Sequence, residues 1–232
     1  MSDYLFDARI IPAIAVVGED KSYPVGRIFC VGRNYAAHAA EMGNEVDRSA
    51  PFYFTKSPSA VELSGATTPY PPGTQNYHYE MELVVAIGAP VFRMDAKHAW
   101  EAVYAYGCGL DMTRRDLQIA EREKKRPWDL GKDVEQSAIF APLTKATDIG
   151  VIGAQQIKLE LNGELKQDAL LSDMIWKVNE IISHLSGFYH LRPGDLIMTG
   201  TPAGVGPVVE GDRIDGEISG LSPVSLTIGK AE

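Results

Sequence analysis

Glu80-Met81-Glu82 sets two carboxylates two residues apart in a run, Glu80 to Ile87, that is otherwise apolar and rich in β-branched residues. A strand repeats every two residues, so both side chains point to one face. Acids side by side repel, and burying them in an apolar strand is costly without a cation. Asp111 lies in a second apolar run, Tyr104 to Met112, in the same awkward setting. Three carboxylates without a cysteine suggest a hard divalent cation, Mg²⁺ foremost, with Mn²⁺ or Ca²⁺ as alternatives. His78 shares the parity of the two glutamates; as a ligand it would admit Zn²⁺ or Fe²⁺, a less favoured reading. Another reading stays open. Glu80 and Glu82 could lie on a solvated edge strand while Asp111 caps the helix that begins near Arg114.

His38 and Glu41 stand three apart in an alanine-rich stretch, Tyr35 to Met42. On a helix that spacing puts them on one face. A carboxylate beside an imidazole fixes its tautomer and raises its basicity, which suits a general base acting on water. An ordinary surface contact would have the same spacing. Arg115 and Gln118 share a face of the helix after Asp111, whose N-terminus would favour an anion. Lys132 sits in a loop, where lysines are usually only solvated. The segment Thr199 to Gly206 is a Gly-rich loop without the G-K-[ST] of a P-loop. Its backbone N–H groups at Gly200 and the Thr201 hydroxyl could meet a carboxylate, or it could be only a strand-ending turn.

The elements that must position these residues are mostly strands. Residues 27–32 read as a buried strand, followed by a helical turn from Tyr35 to Met42 that stops at Gly43. Helices are expected over Ala96–Val103, Arg114–Lys125 and Met174–Phe188, the last with Ile175, Val178, Ile181, Ile182 and Leu185 at helical spacing. Asn162-Gly163 between two alternating runs marks a hairpin. From Leu191 onward short strands alternate with Gly and Pro turns. Strict strand–helix alternation is missing, so the pattern argues a β-rich α+β fold of roll type rather than a doubly wound sheet. The expected organisation is a small β extension over residues 1–24 ahead of a catalytic domain over 25–232.

Composition bounds the function. The chain has 232 residues with 31 acidic against 22 basic, a formal charge of −9. That disfavours general contact with nucleic acid, yet a locally positive site can still take an anionic substrate. Cys30 and Cys108 sit alone in apolar runs, fitting a reducing cytoplasm. The charged start is not expected to be a signal peptide, and no run is long enough to span a membrane.

The order and wording of the motifs carry more than any one of them. Gly32-Arg33-Asn34-Tyr35 with His38 and Glu41, Phe54-Thr55-Lys56, Glu80-Met81-Glu82-Leu83, Gly109-Leu110-Asp111 with Arg115-Asp116-Leu117-Gln118, Gly131-Lys132, and Thr199-Gly200-Thr201-Pro202 follow one another along the chain. The chain resembles the fumarylacetoacetate hydrolase family from about Ile28 to Thr227, within it most the fumarylpyruvate hydrolases and acylpyruvases. The resemblance implies a mixed β-roll with a few peripheral helices, usually dimeric. It also implies a divalent cation on Glu80, Glu82 and Asp111. His38 and Glu41 would form a water-activating dyad on a lid that orders with substrate, and Lys132 would stabilise developing negative charge. Arg115, Gln118, Gly200 and Thr201 would orient a small oxo acid. The implied reaction is cleavage of a carbon–carbon bond in an acylpyruvate. Rivals are oxaloacetate decarboxylation, isomerisation or decarboxylation of a 2-hydroxymuconate-type diacid, and a non-catalytic binding protein of the same fold. Val134 and Ser57 depart from the family wording; Val134 is expected to widen the pocket wall.

Overall fold

The computed structural model describes residues 5–7, 9–41, 43, 48–150 and 152–231. Its centre is a mixed sheet with the strand order Phe52–Lys56, Arg27–Gly32, Asp195–Met198, Met81–Ile87, Val103–Asp111, Ala138–Phe140 and Val61–Leu63. Thr144–Lys145 joins it as an extra strand against Val103–Asp111. A five-stranded sheet, Glu164–Leu170, Gln156–Leu161, Arg213–Ile218, Val224–Ala231 and Thr67–Tyr70, packs beside it. The architecture is a β-rich α+β roll.

Side-chain parity divides the interior into two layers. Met81, Leu83, Val85 and Ile87 face the five-stranded sheet's Ile157, Leu159, Ile214 and Leu226, with helix Val178–Ser186 packed on the same core. Val84 and Ala86 face the other way, into a second cluster with Ile28, Cys30, Ala105, Phe140 and Leu196. Glu82 has the parity of Val84 and Ala86, and Asp111 has that of Ala105. The central strands therefore turn both acids to the same side of the sheet. The short ribbon Ala13–Ile14 with Tyr23–Pro24 closes the second cluster through Ile14, Val16 and Tyr23.

The hairpin is as expected, with Asn162 and Gly163 both at positive φ, as a two-residue turn between right-twisted strands requires. The helix over residues 36–41 ends at Gly43 at φ 70°; Met42 lies outside the described residues. Two helices differ from expectation. Over Ala96–Val103 only a 3-10 turn forms, Ala99–Ala102: Asp95 accepts the N–H of Lys97 through its side chain and that of His98 through its carbonyl, and Val103 enters the next strand. The helix expected from Met174 begins at Val178 because Asn34 has already taken the preceding backbone. Its carbonyl accepts from Ile175 N at 2.7 Å, its Oδ1 accepts from Trp176 N at 2.7 Å, and its Nδ2 donates to Trp176 O at 3.0 Å.

Asn34 Nδ2 also donates to Thr199 O at 2.7 Å, and the residue is fully buried. Asn34→Ala removes this staple and leaves buried backbone groups without partners. The expected loss is about 2–3 kcal/mol of stability, read by urea unfolding; a change within about 0.5 kcal/mol would show that the staple carries no weight.

Candidate metal centre and active site

Strand register assembles the acids. Met81 pairs with Leu110 and Glu82 with Gly109, so Glu80 lies opposite Asp111, whose N–H donates to Glu80 O at 2.9 Å. The regular strand begins at Met81, one residue later than expected, and Glu80 occupies the break after Tyr77–Tyr79. Carboxylate oxygens of Glu80, Glu82 and Asp111 all lie within 4.8 Å of one another, and all three residues are buried. A solvated edge strand is therefore ruled out. His78 is not a fourth member of this cluster: its Nε2 pairs with Asn76 Oδ1 at 2.8 Å.

Positive charge converges on the acids from three directions. Lys132 Nζ donates to Glu80 Oε2, Asp111 Oδ2 and Thr113 Oγ1, each at 2.7 Å. It comes from a short helix, Asp129–Lys132, not from a solvated loop, and it is 2% exposed. Gly131 lets that helix approach closely, since a Cβ there would lie 2.7 Å from Gln118 Cβ and 2.8 Å from its N and Cα. Arg115, at the start of helix Arg115–Glu123, pairs with Glu80 through one guanidinium nitrogen and with Gln118 through another. Lys56 Nζ stands 3.0 Å from Asp111 Oδ1.

Glu82 is treated differently. It accepts the amide N–H of Gly200 at 2.8 Å, while the ammonium groups serve its two neighbours. Gly200 sits at φ 96° with a Cβ position only 2.8 Å from Asn34 Cβ, which fixes glycine there. Burial, then the Asp111 and Glu80 carboxylates, push the Glu82 carboxyl well above the usual carboxylate range. Burial pushes Glu80 up as well, but Lys132, Arg115 and His38 more than offset it and hold that carboxyl well below. Three buried acids, of which Glu82 resists ionisation and has no ammonium or guanidinium partner of its own, form an oxygen donor set open to a cation. That fits a hard divalent metal.

His38 Nδ1 lies 3.0 Å from Glu41 Oε2, so the dyad forms on the helix over residues 36–41. Gly204 N donates to Glu41 at 3.1 Å, tying that helix to the Gly-rich loop. His38, Glu80, Glu82, Arg115, Gln118, Lys132 and Thr201 line one cavity. Thr201 Oγ1 accepts from Gln167 Nε2 at 2.8 Å. The N–H of Gly200 is spent on Glu82, so its shown contact is to a candidate ligand.

The model for the C-terminal domain of fumarylacetoacetate (FAA) hydrolase matches residues 27–229. The chain belongs to the fumarylacetoacetate hydrolase family. A fumarylpyruvate hydrolase of a Ralstonia species is 53% identical over 193 residues, 82% of this chain and all of the relative. The Pseudomonas aeruginosa fumarylpyruvate hydrolase, solved with Mn²⁺ and pyruvate, superposes with a TM-score of 0.94 at 45% identity, covering 98% of this chain and all of that one. A human mitochondrial oxaloacetate tautomerase is 39% identical over 208 residues, 88% of this chain and 92% of the relative.

Within this family member, sequence reasoning quoted Lys56 but gave it no role. Its Nζ reaches Ser137 Oγ at 2.8 Å and Met112 O at 3.1 Å besides Asp111, and it is 2% exposed. The signal was available: Phe54 and Lys56 alternate along one strand, so a lysine stands at an inward position. Val134 is buried, its carbonyl accepting from Ser137 Oγ at 2.6 Å, and it is not among the cavity-lining residues.

The Glu82 shift sets a linkage. Its carboxyl is raised above its ordinary value of 4.5, so its contribution to the stability of the metal-free protein is fully present below that value and is lost as pH rises through the folded one. A cation on the triad must displace the proton. Metal titration just above the ordinary carboxylate value should release protons, fewer as pH rises further. Calorimetry in two buffers of different ionisation heat reads this directly, and equal apparent enthalpies would contradict it.

Proposed function

We propose that this protein is a metal-dependent hydrolase that cleaves an acylpyruvate of the fumarylpyruvate type into pyruvate and a carboxylic acid. The observation that carries the reading is a cavity lined by His38, the imidazole paired with Glu41, together with Glu80 and Glu82 of the buried triad. The Ralstonia and Pseudomonas relatives support the substrate class. Mg²⁺ is the proposed cation on Glu80, Glu82 and Asp111; Mn²⁺, present in the Pseudomonas relative, and Ca²⁺ suit the same oxygen donors. A divalent ion there supplies Lewis acidity to an oxo-carboxylate.

The residues divide the remaining work. Glu41 takes His38 Nδ1, which leaves Nε2 to accept a proton from water as the water attacks the distal carbonyl. Lys132 stabilises the oxyanion that develops. The bond between that carbonyl carbon and the neighbouring methylene then breaks, its electron pair passing into the enolate of pyruvate. The enolate is afterwards protonated. Arg115, Gln118, Thr201 and the loop at Gly200 orient the pyruvyl end, and the helix bearing His38 acts as the lid.

Pyruvate release from fumarylpyruvate with Mg²⁺ or Mn²⁺, lost with EDTA, is the deciding measurement. His38→Ala should lower turnover roughly 10²- to 10⁴-fold while Mn²⁺ affinity stays near that of the parent protein. Wild-type turnover in that variant would remove His38 as the base. The tautomerase relatives favour a second reading, interconversion of oxaloacetate tautomers, which needs proton transfer but no water attack. Enol absorbance of oxaloacetate, followed beside pyruvate release, separates the two.

We place the protein in the cytoplasm as a homodimer, with residues 1–24 a β extension on the catalytic domain 25–232. The buried free thiols of Cys30 and Cys108 suit a reducing compartment. Among the described residues no helix is long and apolar enough to cross a membrane. Leu5, Phe6, Ile10 and Ile11 expose apolar side chains near the chain start, as an association surface would. Light scattering after gel filtration should give the mass of two chains; a one-chain mass at micromolar concentration would refute the dimer.

A further inference from the structure

The Gly-rich loop leaves the central sheet in three steps alongside the strand Met81–Ile87. Thr199 gives both its N–H and its hydroxyl to Leu83 O, at 3.1 and 3.0 Å. Gly200 gives its N–H to the Glu82 carboxylate at 2.8 Å. At the third step the side chain of Gln167 stands between strand and loop. Its Oε1 accepts the N–H of Met81 at 3.0 Å, while its Nε2 donates to Thr201 Oγ1 and to Pro202 O, both at 2.8 Å. Gln167 is fully buried, and Met81 is the residue between two acids of the triad.

A bulge brings Gln167 there. It lies on the strand Glu164–Leu170, where the pairing steps from Leu159–Gln167 to Glu160–Leu165 and leaves Lys166 as the extra residue. Strict alternation would give Leu165 and Gln167 the same face, yet Leu165 is 50% exposed and Gln167 is wholly buried. The extra residue re-aims the glutamine inward. Gly204 packs on the same bulge, since a Cβ there would fall 2.0 Å from Lys166 O.

The polarity of this network is fixed at both ends. A backbone N–H only donates and a backbone carbonyl only accepts, so Met81 must face the amide oxygen of Gln167 and Pro202 its nitrogen. Thr201 Oγ1 lies on the nitrogen side and therefore accepts. A hydroxyl that accepts there turns its own proton elsewhere, and that proton has no acceptor among the described residues. Thr201 is 3% exposed and lines the cavity that Glu80 and Glu82 also line. Resting on the acylpyruvate reading above, we propose that Gln167 is a positioning residue: it holds the Thr201 hydroxyl as a donor to an oxygen of the pyruvyl end, in fixed register with the strand of Glu82. A carboxylate and an oxo group offer only lone pairs, so a hydroxyl free to turn would present its own lone pairs to them part of the time. Gln167 removes that choice and touches no reacting atom.

The test measures calorimetric affinity for pyruvate in the Mn²⁺-saturated full chain, with Gln167 and Thr201 varied singly and together. Thr201→Val should weaken pyruvate binding roughly tenfold to a hundredfold, the loss of a hydrogen bond to a charged group, and Gln167→Met roughly tenfold. The double variant should bind no more than about twofold weaker than Thr201→Val, because no hydroxyl is left to orient. Thr201→Ser keeps the hydroxyl, and in that background Gln167→Met should again weaken binding roughly tenfold. Gln167→Glu is a second probe should Gln167→Met fold poorly. It still accepts from Met81 but draws the Thr201 proton to itself, so it should weaken pyruvate roughly tenfold with Thr201 present and not in Thr201→Val. A glutamine with a merely structural role would act whether or not the hydroxyl is there. Losses that simply multiply in the double variant, no loss in either Gln167 variant, or wild-type affinity in Thr201→Val overturn the proposal. These affinities do not depend on turnover. The expected coupling in a protein that releases no pyruvate from acylpyruvates supports the positioning role and sinks the hydrolase reading alone. Normal release without the coupling sinks the positioning role alone.

Discussion

Three carboxylates can share one buried corner of a sheet only if positive charge is brought to the same point. Much of the local architecture follows from that constraint. Lys56 arrives along a strand, Arg115 from the first turn of a helix, and Lys132 from a short helix pressed against Gln118 through Gly131. With three acids and three bases ionised the corner is neutral, so a divalent ion raises it to a charge of two. That excess is what an oxo-carboxylate passing to its enolate requires. The same ions that let the acids be buried therefore prepare the site for an anion.

The uneven sharing of cations is as informative as their number. Lys132 bridges Glu80 and Asp111, Lys56 stands behind Asp111, and Arg115 holds Glu80. Glu82 has the Gly200 amide, whose partial charge is far smaller than that of an ammonium group. The ligand set is thus preorganised on two sides and under-compensated on the third. Full pairing of Glu82 would make the metal-free protein more comfortable and weaken the pull on a metal. A buried carboxylate without a cationic partner of its own binds a metal strongly, because the alternative is a protonated or unpaired acid.

Much of this was legible in the sequence where local periodicity decided the outcome. Period-two spacing put Glu80 and Glu82 on one side, i to i+3 spacing joined His38 to Glu41, and Asn162-Gly163 fixed a hairpin. The parts that were not legible depend on partners distant in the chain. Nothing near Met174 announces that Asn34 takes the backbone of Ile175 and Trp176, although their hydrophobic spacing is helical. Lys132 looked like a solvated loop residue because its three acceptors lie 19 to 52 residues away. The inward alternation of Lys56 was readable, but the Asp111 it serves enters only through sheet pairing.

The relatives include both hydrolases and oxaloacetate tautomerases, and the triad cannot discriminate between them, since both reactions pass through enolates of oxo acids. Discrimination must lie in what surrounds it. Hydrolysis needs a base placed for water on the side of the distal carbonyl; in the proposed reading that base is His38, whose partner Glu41 accepts the Gly204 amide. It also needs room for an acyl group beyond the carbonyl, and a second cavity walled by Phe52, Phe54 and Trp128 adjoins the first.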